Sequence, residues 1–156
     1  MTINIINNSS LLKKVYKKKI KEIVEYILKN EKSNPLLKKF LKKNKWKDIE
    51  INFLFVDDND IKKYNKKFLN RSGITDVISF SNLEGEDIIN NQTIGDAIIS
   101  IETAERNSKK YNNKLWDEIF LLIIHATLHI LGYEHETDNG EMREKENFYF
   151  KKLVKK

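Results

Sequence analysis

The 156-residue chain contains no cysteine, which excludes a disulfide framework, a thiolate zinc site and a cysteine nucleophile together. Any metal it binds must be held by nitrogen and oxygen ligands. Long apolar runs are also missing. The longest, Ile119 to Ile124, is far short of the roughly 20 residues that a membrane-spanning helix needs. Met1 to Ser10 has neither a basic stretch nor the apolar core of a secretory signal, so a cytoplasmic protein with no membrane partner is expected. Arginine is scarce, occurring only at Arg71, Arg106 and Arg143. No repeat, low-complexity linker or change of composition marks a domain boundary, and the length suits a single domain over residues 1–156.

What is abundant is lysine, and it is unevenly placed. The formal net charge is +6. Residues 1–47 carry fourteen lysines against Glu22, Glu25 and Glu31, a net +11, leaving −5 for the remainder. A lysine-rich solvated helix face would produce this pattern, and so would an electrostatic footprint for a polyanion. Lys13, Lys17 and Lys21 recur every fourth residue, so on a helix over about 11–30 they lie along one side and could follow a phosphate backbone. Leu12, Tyr16, Ile20, Ile23 and Ile27 would form the opposite, apolar side.

The remaining periodicities give an α/β (α+β) fold, in which a small mixed sheet is covered by helices. Thr2 to Ile6 alternates as a first strand, with Ser9 or Ser10 placed to cap the helix after it. Asn34-Pro35 opens a second helix, and Ile49 to Phe55 alternates as a strand with one face inward. Asp57 to Asp60 caps a helix that Ser72-Gly73 closes. Val77 to Phe80 and Ala97 to Ile101 read as short strands on either side of a polar loop over 82–93. From Glu102 onward the pattern is helical, including the apolar segment Trp116 to Leu131 and an amphipathic helix Met142 to Val154.

All three histidines lie within eleven residues, from His125 to His135. His125 and His129 are one helical turn apart on one face, where both imidazoles can reach one ion. Gly132 can end that helix in the left-handed conformation and turn the chain back. His135 then completes a three-nitrogen set at the C-terminal end of a central helix, with a fourth position left for water, as in catalytic zinc sites. The spacing equals that of the zinc-peptidase motif H-E-x-x-H-x-x-G-x-x-H, whose glutamate is the general base. Here that position is Ala126, which cannot accept a proton, so the metal site is expected without the peptidase mechanism.

The segment His125-Ala126-Thr127-Leu128-His129-Ile130-Leu131-Gly132-Tyr133-Glu134-His135 resembles the signature H-G-x-L-H-x-x-G-Y-D-H of the YbeY-type rRNA maturation factors, metal-dependent endoribonucleases of bacteria. The departures are Ala126 for glycine and Glu134 for aspartate. Thr75-Asp76-Val77-Ile78-Ser79-Phe80 is similar to the family's T-D-V-L-S-F, and Gly95-Asp96-Ala97-Ile98-Ile99-Ser100 to its G-D-I-x-I-S. An arginine of the family, six residues before the threonine of T-D-V, is replaced by Leu69, and Arg71 is the nearest substitute.

The resemblance implies a single-strand-specific, zinc-dependent endoribonuclease acting in rRNA maturation at the small-subunit 3′ end and in ribosome quality control. Its partners would be single-stranded RNA, the small ribosomal subunit and assembly factors, with no nucleotide cofactor. One divalent ion, Zn2+, would sit on His125, His129 and His135. Arg71 would stabilise charge on the phosphorane oxygens, and Lys13, Lys17 and Lys21 would hold RNA. Two other classes stay open at this point. One is a metallohydrolase of another substrate, such as a metzincin-like peptidase with a base from elsewhere; the other is a non-catalytic ribosome-assembly binding factor.

Overall fold

The computed structural model describes residues 1–84, 93–134 and 140–155. Four strands form one mixed sheet: β1 (Thr2–Asn7), β2 (Glu50–Val56), β3 (Val77–Ser81) and β4 (Thr93–Ser100). Their spatial order is β1-β2-β4-β3, with β1, β2 and β4 parallel and β3 antiparallel on the edge beside β4. Among the described residues six α-helices surround it: α1 (Lys17–Asn30), α2 (Pro35–Lys43), α3 (Asp58–Leu69), α4 (Ile101–Lys110), α5 (Leu115–Ile130) and α6 (Glu141–Leu153). No helix among the described residues is long and apolar enough to cross a membrane.

The sheet separates two apolar layers. Ile51, Phe53 and Phe55 of β2 point to one side, into the main core with α1 and α5. Helix α5 is buried over most of its surface, which accounts for its lack of a polar side, and it packs on β3, β4, α1, α4 and α6. On the opposite sheet face the apolar layer is smaller: Val56, Ile61, Ile78 and Ile98 gather under α3. The rest of that face is mixed, with Ile6 and Phe80 beside polar groups. Asn4, Asn52, Asp96 and Phe80 stand in register across all four strands. Asn4 Nδ2 donates to Asn52 Oδ1 at 2.8 Å, and Asn52 Nδ2 to Asp96 Oδ1 at 2.9 Å.

The start of the first helix departs from the sequence reading. It begins at Lys17 rather than near residue 11. Ser9 and Ser10 do not cap it, because both hydroxyls donate to the Asp57 carboxylate, at 2.5 and 2.8 Å. Asp57 is the residue preceding α3 and makes no side-chain cap bond there, since its oxygens are committed to these serines. Lys13 therefore precedes the helix, and only Lys17 and Lys21 share a helical side. Helix α3 also stops earlier than expected, at Leu69, with Asn70 in the left-handed conformation at φ 50°. Helix α2 starts as expected: Asn34 Oδ1 accepts from the backbone of Leu36 and Leu37 at 3.1 and 3.2 Å. Most of the polar loop expected over 82–93 lies outside the described residues.

Candidate metal centre

His125 and His129 project from one face of α5, one turn apart, with their Nε2 atoms 2.9 Å from each other. The rings meet edge to face, 4.5 Å between centres. Nitrogens this close cannot both carry a proton, so at least one lone pair is directed into the gap, as metal ligation requires. Glu146 of α6 holds the outer nitrogen of His125. Its Oε1 lies against His125 Nδ1. A carboxylate accepts, so a proton on Nδ1 is held by Glu146, and Nε2 is the nitrogen that faces His129 and that a metal would use. These donors fit a divalent ion of zinc character. His135 lies outside the described residues, and among those described no group of three or more potential ligands is assembled.

The turn after the ligand helix follows from its sequence. Gly132 takes φ 91°, where a side chain is strained. Its N–H donates to His129 O at 2.9 Å, and Tyr133 N–H to Leu128 O at 3.1 Å. These two bonds are the Schellman pair, which satisfies carbonyls that the helix end leaves open. Tyr133 is then tied down by its hydroxyl, which donates to Glu31 Oε2 at 2.7 Å. Glu31 is buried and also accepts from Tyr149 Oη at 2.5 Å and from Lys145 Nζ at 3.0 Å. Burial alone would raise the Glu31 pKa, but the bonds from Tyr149, Tyr133 and Lys145 outweigh it and hold it below the ordinary value.

On the other side α5 meets the sheet, and Gly95 permits the approach. A Cβ there would stand 2.6 Å from Phe80 O and 2.7 Å from the Ile130 side chain. Ser81 Oγ completes the seam by donating to Ile130 O at 2.6 Å, one residue from His129. The glycine of Gly95-Asp96 and the serine after Phe80 thus set where the histidine helix rests on the sheet.

A cavity of about 530 Å³ opens beside His125 and is also lined by Asp76, Glu118, Arg143 and Glu146. Glu118 lies two turns before His125 on α5. Its carboxyl is pushed above the ordinary glutamate range, first by burial and then by the charge of Asp76. Asp76 also receives Val77 N–H on its side chain at 2.8 Å, so it starts the edge strand and lines the cavity at once.

Arg71 is exposed in the segment after α3 and is not among the residues lining this cavity. Arg106 is bound to Asp58 at 2.7 Å, at the N-terminal end of α3. The guanidinium that does line the cavity belongs to Arg143, on α6 one turn before Glu146. Lys17 and Lys21 line a separate groove on the open sheet face, which Lys13 does not line. Sequence reasoning missed Glu146, Arg143 and Glu118. Helical spacing puts Glu118 on the face of His125, and that signal was available. Glu146 and Arg143 reach the site only because α6 packs on α5.

The family model described as Endoribonuclease YbeY matches residues 3–154. This chain belongs to the endoribonuclease YbeY family. Among curated members, one from Petrotoga mobilis is 35% identical over 158 residues, covering 99% of this chain and 97% of the relative. One from Nautilia profundicola is 46% identical over 107 residues, covering 69% of this chain and 73% of the relative. The solution structure of TM1509 from Thermotoga maritima superimposes with a TM-score of 0.58 at 25% identity, over 97% of this chain and 88% of that one. The motifs that carry the family resemblance are thus the ones that build the histidine pair, its cap and its seat on the sheet.

Proposed function

We infer that this YbeY-family chain is a metal-dependent endoribonuclease, specific for single strands, acting in rRNA maturation at the small-subunit 3′ end and in ribosome quality control. Membership of the family over residues 3–154 supports the reaction. The observation that carries the metal is the His125–His129 pair with Glu146 on the outer nitrogen of His125. We assign His125, His129 and His135 as the ligands of one zinc ion. When bound there, such an ion acts as a Lewis acid on a phosphodiester oxygen and lowers the pKa of a coordinated water.

The chain's own groups then divide the work. Glu146 holds the His125 ring and its tautomer. Arg143 faces the cavity and can place two N–H donors on phosphate oxygens as negative charge builds there. Glu118, its carboxyl pushed up by burial, stands with Asp76 in one cavity, an arrangement suited to moving a proton to a leaving oxygen. Arg71 remains the alternative cation, carried by a loop that would have to bring it to the substrate.

His129→Ala is expected to lose both the metal and the cleavage of single-stranded RNA while keeping a cooperative thermal transition. Full metal occupancy in that variant would refute the ligand set. Arg143→Ala is expected to lower kcat by about 10²-fold with metal content unchanged. If Arg71→Ala shows that loss and Arg143→Ala does not, the role belongs to Arg71.

A further inference from the structure

The open face of the sheet carries a groove of about 1030 Å³ that the histidine site does not use. Its floor is the cross-strand row Asn4, Asn52, Asp96 and Phe80, and the next row, Ile6, Leu54, Ile98 and Ile78, is in register beside it. Three strand spacings separate the ends of each row, about 14 Å. One wall is α3, where Tyr64 stacks on Phe68 at 5.9 Å with planes 9° apart, and Phe68 meets Phe80 edge to face at 5.5 Å. At the β1 end stand Lys17 and Lys21. The ammonium of Lys67 lies 5.3 Å from the centre of the Phe68 ring. Two apolar groups in this region are left largely in water, Phe68 at 51% and Ile6 at 55% exposure.

We propose that this groove binds the bases of a single RNA strand and leads the strand over the β3 edge to the histidine pair. This rests on the RNA-cleaving reading given above. An aromatic wall accepts base faces of any sequence, and lysines at the end neutralise phosphates. The row Asn4–Asn52–Asp96 offers amide and carboxylate groups in the plane where base edges would lie, with Asp96 able to accept from base amino groups. A duplex keeps its base faces stacked internally and cannot use the aromatic wall. Across the β3 edge from the groove lies α5, which carries the histidines. Phe80 and Asn82 line the groove, and Ser81 between them donates to Ile130, the neighbour of His129.

The test uses the full chain with its metal, a fluorescent 2′-O-methyl oligouridine of about 12 nucleotides for binding, and an all-RNA strand for cleavage. Phe68→Ala removes a ring that is half in solvent, and Ile6→Glu puts a negative charge on the floor, so both variants should fold. Each is expected to raise Kd and KM about tenfold while kcat stays within about twofold, and Phe68→Tyr to restore both. In Phe68→Trp, saturation with the oligonucleotide should quench the new indole's emission, a signal that a purely structural role would not give.

Wild-type Kd and KM in Phe68→Ala and Ile6→Glu would overturn the proposal while leaving RNA cleavage intact. An unquenched indole would overturn it equally. A wild-type dimer that Ile6→Glu turns into a monomer without change in Kd would assign the face to a second copy of the chain. If the wild type neither binds nor cleaves the single strand, the functional reading itself fails.

Discussion

Glu146 lies 21 positions after His125 yet holds its outer ring nitrogen and so turns Nε2 toward His129. A second carboxylate of this kind typically carries 10- to 100-fold of a site's metal affinity. Glu146→Gln should therefore bind zinc about 10-fold or more weakly in a chelator competition while its secondary structure is unchanged; equal affinity would show that the ring is held by packing alone. Glu118 makes a prediction of opposite character. Its folded pKa is raised, so the protonated form is the one favoured by the fold. The associated stability is complete below the ordinary value of 4.5 and is lost as pH rises through the folded value. Glu118→Gln, which cannot ionise, should gain thermal stability over wild type at pH 8 and little or none at pH 4. At this scale the pairing of His125 with His129 was legible, because i, i+4 spacing is a local property that a sequence displays. Glu146 and Arg143 were not, because their place depends on how α6 meets α5, and no periodicity within α6 records that.

Among the elements, the last turn of α5 and its surroundings are tied together by the buried Glu31, which joins the end of α1 to Tyr133 and to Tyr149 and Lys145 of α6. Its pKa is lowered in the fold, so its contribution is present above the ordinary value of 4.5 and is lost as pH falls through the folded value. The Tyr149 hydroxyl is pushed up, by burial and then by Glu31, and so favours the fold until alkaline pH ionises it. Glu31→Ala should cost roughly 3 kcal/mol in denaturant unfolding at pH 7, since it strands two hydroxyls and an ammonium. That difference should shrink below pH 4.5; a constant difference would mean that shape rather than charge is at work. The start of α1 shows why local signals can mislead. Ser9 and Ser10 are good caps by type, but Asp57, 47 and 48 positions away, takes their hydroxyls. Gly132 misled nobody, because a left-handed turn after a helix is written in one residue.

For the molecule as a whole, the mixed sheet under helices followed from the order of alternating and helical segments. The strand order did not, because nothing within a strand names its neighbour. The charge asymmetry was plain in the sequence, but its destination was not: Lys17 and Lys21 reach the open sheet face, whereas Lys13 does not line it. Each lysine on a single strand's phosphate contributes about 0.7 to the slope of log affinity against log salt. Replacing Lys17 and Lys21 together by glutamine should flatten that slope by about 1.4 for oligouridine, and an unchanged slope would return both to the solvated surface.

The contact between α5 and α6 has a consequence for how the enzyme comes into being. Synthesis runs from the N-terminus, so the two histidines of α5 are made and can fold into their helix before the carboxylate that orients His125 has been joined to the chain. A nascent protein halted between them would display an imidazole pair with no carboxylate to orient it. The orienting contact between Glu146 and His125 is deferred until α6 has been completed and has docked.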